Sequence, residues 1–386
     1  MTAVQPVALA HGSHRPQLDA LRCLAVSGVL IAHFCQPSLT GLASAMDPGF
    51  LGVRLFFVLS GFLITGILLD ARDAAEAAGV ARLGVLGRFY ARRVLRIFPL
   101  YYAIVLAGLV AGIPRAREAW PWLLGYSSNF FELVTQRSVV YYGHFWTLAV
   151  EEQFYIVWPW LVLFAPRRWI GFIMVAAVLS AIVYRAMAGD LLFTARGWDQ
   201  MPIGCLDTLA VGALLALVFR DGPPPERLQQ ILRRFVLPTG ISSFVLLHWH
   251  SARTGDDRLL VVGHELAFAL FCCWLIAGAY RGFGGPAARL LEARPLVYLG
   301  RISYGIYAYH LLIPLLLAKS FRFLGWTFPS HGMGRLAIAG AVTIAIAAAS
   351  WRFFEAPINS LKQRVPYGRS TSPQVLRRRL KPSECA

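Results

Sequence analysis

"LDALRCLAVSGVLIAHF" (Leu18–Phe34) is an apolar run with Asp19 and Arg22 near one end and a single histidine, His33, deep inside. Eleven helical steps separate Arg22 from His33. They return to within roughly 20° of the same face after three turns, about 16 Å further on. Asp19 lies three residues before Arg22 and shares that face. One side of the helix thus presents a charge pair at one end and an imidazole well down its length. The run approaches the length a bilayer demands of a helix, about 20 residues.

The rest of the chain reads the same way. Of its 386 residues, 57% are apolar and only 15% charged, and the mean hydropathy is +0.56. A soluble domain is about a quarter charged, so this composition points to a membrane protein. The net charge of +17 raises nucleic acid as a partner. The basic residues, however, cluster beside apolar spans, as the positive-inside rule expects, and nucleic acid is set aside. Residues 1–17 are polar and lack the apolar core of a secretory signal. Six cysteines with no CxxC or CxxH spacing predict buried thiols, with no disulfide frame and no metal site.

Ten spans are expected, at 18–38, 50–69, 94–113, 146–165, 169–187, 202–219, 234–249, 262–280, 295–318 and 335–354. The fold class is therefore all-α, a polytopic membrane helix bundle of about ten transmembrane helices. "WPWLLGYSSNFF" (Trp120–Phe131) is expected to be re-entrant or interfacial. With both termini inside, most of the 37 Lys and Arg residues fall on cytoplasmic segments, and the outer segment 36–49 has none. That asymmetry predicts an N-in, C-in topology. The expected organisation is a polar cytoplasmic N-terminus (1–17), a membrane domain (18–358) and a basic cytoplasmic tail (359–386) that is disordered or lies on anionic lipid.

An ionisable residue inside a span costs about 2.5–3.5 kcal/mol on insertion scales, which marks it as a functional candidate. His33 suits a general base near neutral pH, and a packing histidine with one hydrogen bond is the competing explanation. Arg93 and Arg96, in "RFYARRVLRIFPLYY" (Arg88–Tyr102), share a helical face at the expected inner edge. They form either an anion clamp, since guanidinium groups grip phosphate bidentately, or a purely topogenic cluster. "HFWTLAVEEQFYIVWP" (His144–Pro159) holds Glu151 and Glu152 in apolar surroundings. They point about 100° apart, so one can face an arginine while the other faces a cavity. Arg54, in "GVRLFFVLSGFLIT" (Gly52–Thr65), is expected at the outer mouth of its span, where a snorkelling role is the alternative. "GRISYGIYAYHLL" (Gly300–Leu312) carries Tyr304, Tyr307 and His310, for which aromatic packing is the alternative. "WRFFEAPI" (Trp351–Ile358) predicts an Arg352–Glu355 ion pair at i, i+3.

Taken together, these stretches resemble the acyltransferase-3 family of integral membrane acyltransferases. The similarity rests on Arg22-x10-His33, "GVRLFFVLSGFLIT", the Arg93-x2-Arg96 pair, "FWTLAVEEQFY", "SYGIYAYH" and "FFEAPI", in that order over about residues 15–358. Two positions depart from the pattern: Thr147 stands where Ser is frequent, and Ala356 where a basic residue is. The resemblance implies an acyl-CoA-dependent O-acyltransferase in a bacterial cytoplasmic membrane. It would move acyl groups, most often acetyl, from acyl-CoA to hydroxyls of carbohydrates, exported glycans such as lipopolysaccharide, or glycosylated metabolites. Acetyl-CoA would act as a co-substrate, with no tightly bound cofactor. It further implies that His33 is the catalytic base, that Arg22, Arg93 and Arg96 bind the donor, and that Glu151 and Glu152 support activity. Arg54, Trp146, Tyr155, Tyr304 and His310, within the matched stretches, are the expected acceptor contacts. In the mechanism so implied, Glu151 or Glu152 orients the His33 ring as a carboxylate does in a hydrolase triad. A transporter that uses the buried His, Glu and Arg as a proton relay is the competing class. The acceptor's identity and the oligomeric state are not legible in the residues.

Overall fold

The computed structural model describes residues 15–36, 38, 46–191, 197–220 and 226–367. Most of the N-terminal segment, most of the loop 36–49 and the tail beyond residue 367 lie outside them. All described elements are helical. They are α1 (Pro16–Cys35), α2 (Pro48–Ala78), α3 (Arg82–Val110), α4 (Ala116–Leu124), α5 (Ser128–Thr135), α6 (Phe145–Phe164), α7 (Arg167–Leu191) and α8 (Leu206–Val218). There follow α9 (Glu226–Thr254), α10 (Arg258–Arg281), α11 (Gly285–Leu291), α12 (Arg294–Arg301), α13 (Ser303–Tyr309), α14 (Leu312–Phe323) and α15 (Met333–Ser350). The chain is an all-α helix bundle. Seven of its described helices are long and apolar enough to cross a membrane by length and composition. The five described cysteines are buried and free.

Helix α2 is the centre of the bundle, packing on α1, α6, α8 and α10. Small residues make this possible, because without a hydrophobic force between helices in lipid, association depends on close backbone approach. A Cβ added at Gly61 would lie 1.9 Å from the Leu209 carbonyl oxygen on α8, and one at Gly212 of α8 would lie 2.1 Å from the Val58 oxygen on α2. The two glycines let the helices touch backbone to backbone. Gly52, nine residues before Gly61, does the same against Ala25 of α1. The stretch "GVRLFFVLSGFLIT" is thus first a packing motif, with glycines facing two different neighbours.

Three expectations need correction. Helix α3 begins at Arg82, twelve positions before the expected span. Its first turns alternate apolar and basic residues, so they form an amphipathic helix that hydropathy alone passes over. Arg93 and Arg96 therefore sit in the middle of a 29-residue helix. The expected span 295–318 is broken into α12, α13 and α14, with turns at Ile302 and at His310–Leu311. Pro314 in the first turn of α14 has no N–H to offer the His310 carbonyl, and its ring crowds that oxygen. The segment 359–367, expected to start a disordered tail, packs on α3. Arg92 donates to the carbonyls of Lys362 (2.9 Å) and Val365 (3.0 Å), and Arg88 to that of Tyr367 (2.9 Å).

A buried ionic cluster ties four helices together. Arg54 of α2 donates to Glu265 of α10 at 2.6 Å, and Arg185 of α7 pairs with Asp207 of α8 at 2.5 Å. Arg185 also lies 3.7 Å from Glu265. All four residues are at most 4% exposed. Two cations and two anions sum to zero, the condition for burying charge without a large penalty. The Arg352–Glu355 pair does not form: a π turn over Trp351–Glu355 alters the register, and Glu355 accepts from the Ser350 hydroxyl at 3.0 Å.

Candidate active site

Helices α1, α2, α3, α6 and α13 surround a cavity of about 240 Å³. Three guanidinium groups reach it: Arg22 from α1, and Arg93 and Arg96 from α3. Each is held. Arg22 forms an ion pair with Asp19 one turn earlier. Arg93 lies over the rings of Tyr155 (5.2 Å) and Phe89 (5.5 Å), and Arg96 over Trp351 (5.2 Å). Held against the rings in this way, the guanidinium groups keep N–H donors available to the cavity they line. The spacing of Arg93 and Arg96 puts both on one face of α3, and that face is the one turned to the cavity.

One carboxylate shares the cavity. Glu151 on α6 accepts from the hydroxyl of Ser60 on α2, and Tyr155 donates to the same Ser60 oxygen at 3.0 Å. Ser60 escaped sequence reasoning, because a serine in an apolar span carries no cost that flags it. Tyr304 also lines the cavity and donates to the Ile97 carbonyl at 2.7 Å. Glu152, next in sequence, points the other way. It lines a neighbouring cavity that shares Arg93 and Tyr155 with the first, and one of its carboxylate oxygens has no hydrogen-bond partner among the described residues. The predicted divergence of the two glutamates is what the helix produces.

His33 is elsewhere. It occupies the last turn of α1 and its side chain is exposed, so the imidazole is not deep in the helix. It does not line the cavity. The hydrogen bonds of its ring go to neither glutamate: Nδ1 lies 3.1 Å from the Val29 carbonyl and 3.2 Å from Nε2 of His310. The expected carboxylate–imidazole pair is replaced by an imidazole–imidazole pair. His310, fully buried, is anchored in turn by its own Nδ1, 2.6 Å from the Tyr307 carbonyl.

Tyr307 connects the two halves of the site. Its side chain lines the cavity, and its ring lies 5.4 Å from that of His310. Its hydroxyl is 2.6 Å from Thr147 Oγ1 and donates to the His144 carbonyl at 2.8 Å. His144, buried, sets its ring edge-on to His310 at 4.5 Å. Three histidines from α1, the residue before α6 and the α13–α14 break therefore cluster beside Tyr307. His144 had no role assigned from sequence. Its signal was position alone, as a second histidine directly before the glutamate helix.

Of the remaining candidates, Arg54 is buried in its pair with Glu265 and Trp146 packs beside it, with the guanidinium 5.7 Å from the indole ring. Neither lines the cavity.

The acyltransferase domain profile matches residues 15–352. The chain is 28% identical over 372 residues to O-acetyltransferase OatA of Staphylococcus aureus, an alignment covering 89% of this chain and 57% of that protein. It is also 28% identical, with the same coverage, to two putative O-acetyltransferases of that organism, SAS0844 and SAR0937. The chain thus spans little more than half the length of these relatives. No solved structure matches it. With the profile covering almost the whole bundle, the chain belongs to the acyltransferase-3 family of membrane acyltransferases.

Proposed function

We propose that this protein transfers an acetyl group from acetyl-CoA to a hydroxyl of a carbohydrate or exported glycan, with His33 as the proton acceptor. The observation that carries this reading is the cavity lined by three guanidinium groups, one of whose lining rings, Tyr307, packs 5.4 Å from His310 of the histidine cluster. Coenzyme A carries several phosphates, and Arg22, Arg93 and Arg96 present matching donors. The pantetheine arm runs along the apolar lining, Phe56, Leu63 and Ile64 among it. The thioester must pass Tyr307 to meet His33.

In the reaction, His33 Nε2 takes the proton from the acceptor hydroxyl as its oxygen attacks the thioester carbon. The C–S bond then breaks, and the departing sulfur takes the proton back from Nε2. General-base assistance of this kind is worth about 10²–10⁴-fold. The exposed position of His33 allows an acceptor to approach from outside the cavity while the donor occupies it. A cytoplasmic donor site and an N-in, C-in topology in a bacterial cytoplasmic membrane complete the proposal.

The test is a mass comparison. Surface glycans and exported metabolites of cells with and without this protein should differ by 42 Da, one acetyl group on a hydroxyl (the mass follows from the acetyl formula and is about the same for any acceptor). No lost acyl mass in any fraction, together with substrate flux in vesicles lacking acetyl-CoA, would establish a transporter instead.

A further inference from the structure

We propose that His310 is a positioning residue that, together with the Val29 carbonyl, holds His33 in its Nδ1–H tautomer and so leaves Nε2 as the basic nitrogen. This rests on His33 being the proton acceptor.

A carbonyl oxygen can only accept a hydrogen bond. Nδ1 of His310 lies 2.6 Å from the Tyr307 carbonyl, so that nitrogen carries the proton. The Nε2 of neutral His310 is then a lone-pair acceptor. It faces Nδ1 of His33 at 3.2 Å, and the same Nδ1 faces the Val29 carbonyl at 3.1 Å. Two acceptors converge on one nitrogen. Nδ1 of His33 must be the protonated one, and Nε2 is left with its lone pair. The chain Tyr307 carbonyl, His310, His33 therefore has a single direction.

The break in the helix makes this possible. Helix α13 ends at Tyr309, and the Tyr307 carbonyl is taken by the His310 ring instead of being committed to a continuing helix. Burial on every side then locks that ring. His144 stands edge-on to it at 4.5 Å, and Phe34 lies 6.3 Å away. In a hydrolase triad a carboxylate selects the tautomer of the histidine base. Here a neutral imidazole does so. It differs in one respect: it adds no negative charge, so its contribution is orientation and tautomer choice.

The spectroscopic test needs no ligand. Protein labelled with ¹⁵N-histidine is reconstituted in lipid nanodiscs, and the His33 ring signals are assigned by difference from His33→Gln. In the unmodified protein the His33 ring should show a protonated Nδ1 and an unprotonated Nε2. In His310→Leu only the Val29 carbonyl, 3.1 Å from Nδ1, is left to hold that proton, and the Nδ1–H form should lose population to the Nε2–H form. The matching cellular readout is acetate released from the cell envelope by mild alkali. His310→Leu should slow its accumulation by about 100-fold, within the range of general-base effects. His310→Gln, whose Oε1 can accept from His33 Nδ1, should recover most of that rate and the Nδ1–H signature. Recovery by Gln also shows that the fold tolerates change at this position.

Three results would overturn the proposal: an unchanged His33 tautomer in His310→Leu, lost acetylation with that tautomer intact, or mixed tautomers with acetylation undiminished. Failure of the base assignment itself looks different. There, His33→Ala would retain acetylation whatever the tautomer at position 33 had been.

Discussion

The carboxylate of Glu151 takes its hydrogen bond from the Ser60 hydroxyl, on the wall of a cavity that also holds three arginines. Its position makes it a counter-charge to those arginines and removes it from the neighbourhood of His33. Glu151→Gln keeps the shape and makes the cavity more positive. Binding of coenzyme A, measured by calorimetry in detergent, should be at least as tight as in the unmodified protein. Binding weakened tenfold would show that the carboxylate is itself part of the donor contact.

Arg93 and Arg96 should act on the donor alone. A hydrogen bond to a charged group contributes about 1.5–3 kcal/mol, so Arg93→Ala and Arg96→Ala should each weaken coenzyme A binding roughly ten- to a hundredfold. Lysine at position 96 should restore only part of this, because it cannot combine the contact with the Trp351 ring and a two-pronged phosphate contact. Unchanged affinity in both alanine variants would return these residues to a topogenic role.

Arg54 and Glu265 should govern stability. Removing one partner of a buried pair strands the other and costs about 3–5 kcal/mol. Arg54→Ala and Glu265→Ala should each lower the thermal midpoint in detergent sharply, and Arg54→Met combined with Glu265→Met should recover much of the loss. If either single variant melts like the parent while acetylation falls, Arg54 belongs to the acceptor site after all.

Gly61 should tolerate no side chain. A methyl group there would lie 1.9 Å from the Leu209 carbonyl oxygen, which is backbone and cannot turn aside. Gly61→Ala should separate α2 from α8 and reduce the yield of folded protein. Gly84→Ala on α3 meets nothing within 4 Å and gains helix propensity, about 1 kcal/mol for this exchange. Equal folded yields for both would contradict the close crossing.

The sequence shows the class of fold and the charged residues of the cavity, in part because burying charge in an apolar span is costly and therefore conspicuous. Glu151 stands out on that ground, Arg93 and Arg96 by their spacing and Arg22 by the family resemblance, and all four line the same space. What it hides is pairing across the bundle. Glu265 and Asp207 are single acids in apolar segments, as conspicuous in principle as Glu151, yet only the packing of α2, α7, α8 and α10 reveals that they neutralise Arg54 and Arg185. The partner of His33 was misjudged for the same reason. Glu151 and Glu152 offered the familiar chemistry, whereas His310 is 277 positions away and becomes a neighbour only in the folded bundle.

The central claim is that His33 accepts the proton of the acceptor hydroxyl. It is tested most directly by comparing His33→Ala with the parent protein for both coenzyme A affinity and the rate of envelope acetylation. Affinity should be unchanged and acetylation reduced at least about 100-fold, as loss of a general base requires. Acetylation near the parental rate in that variant would contradict it.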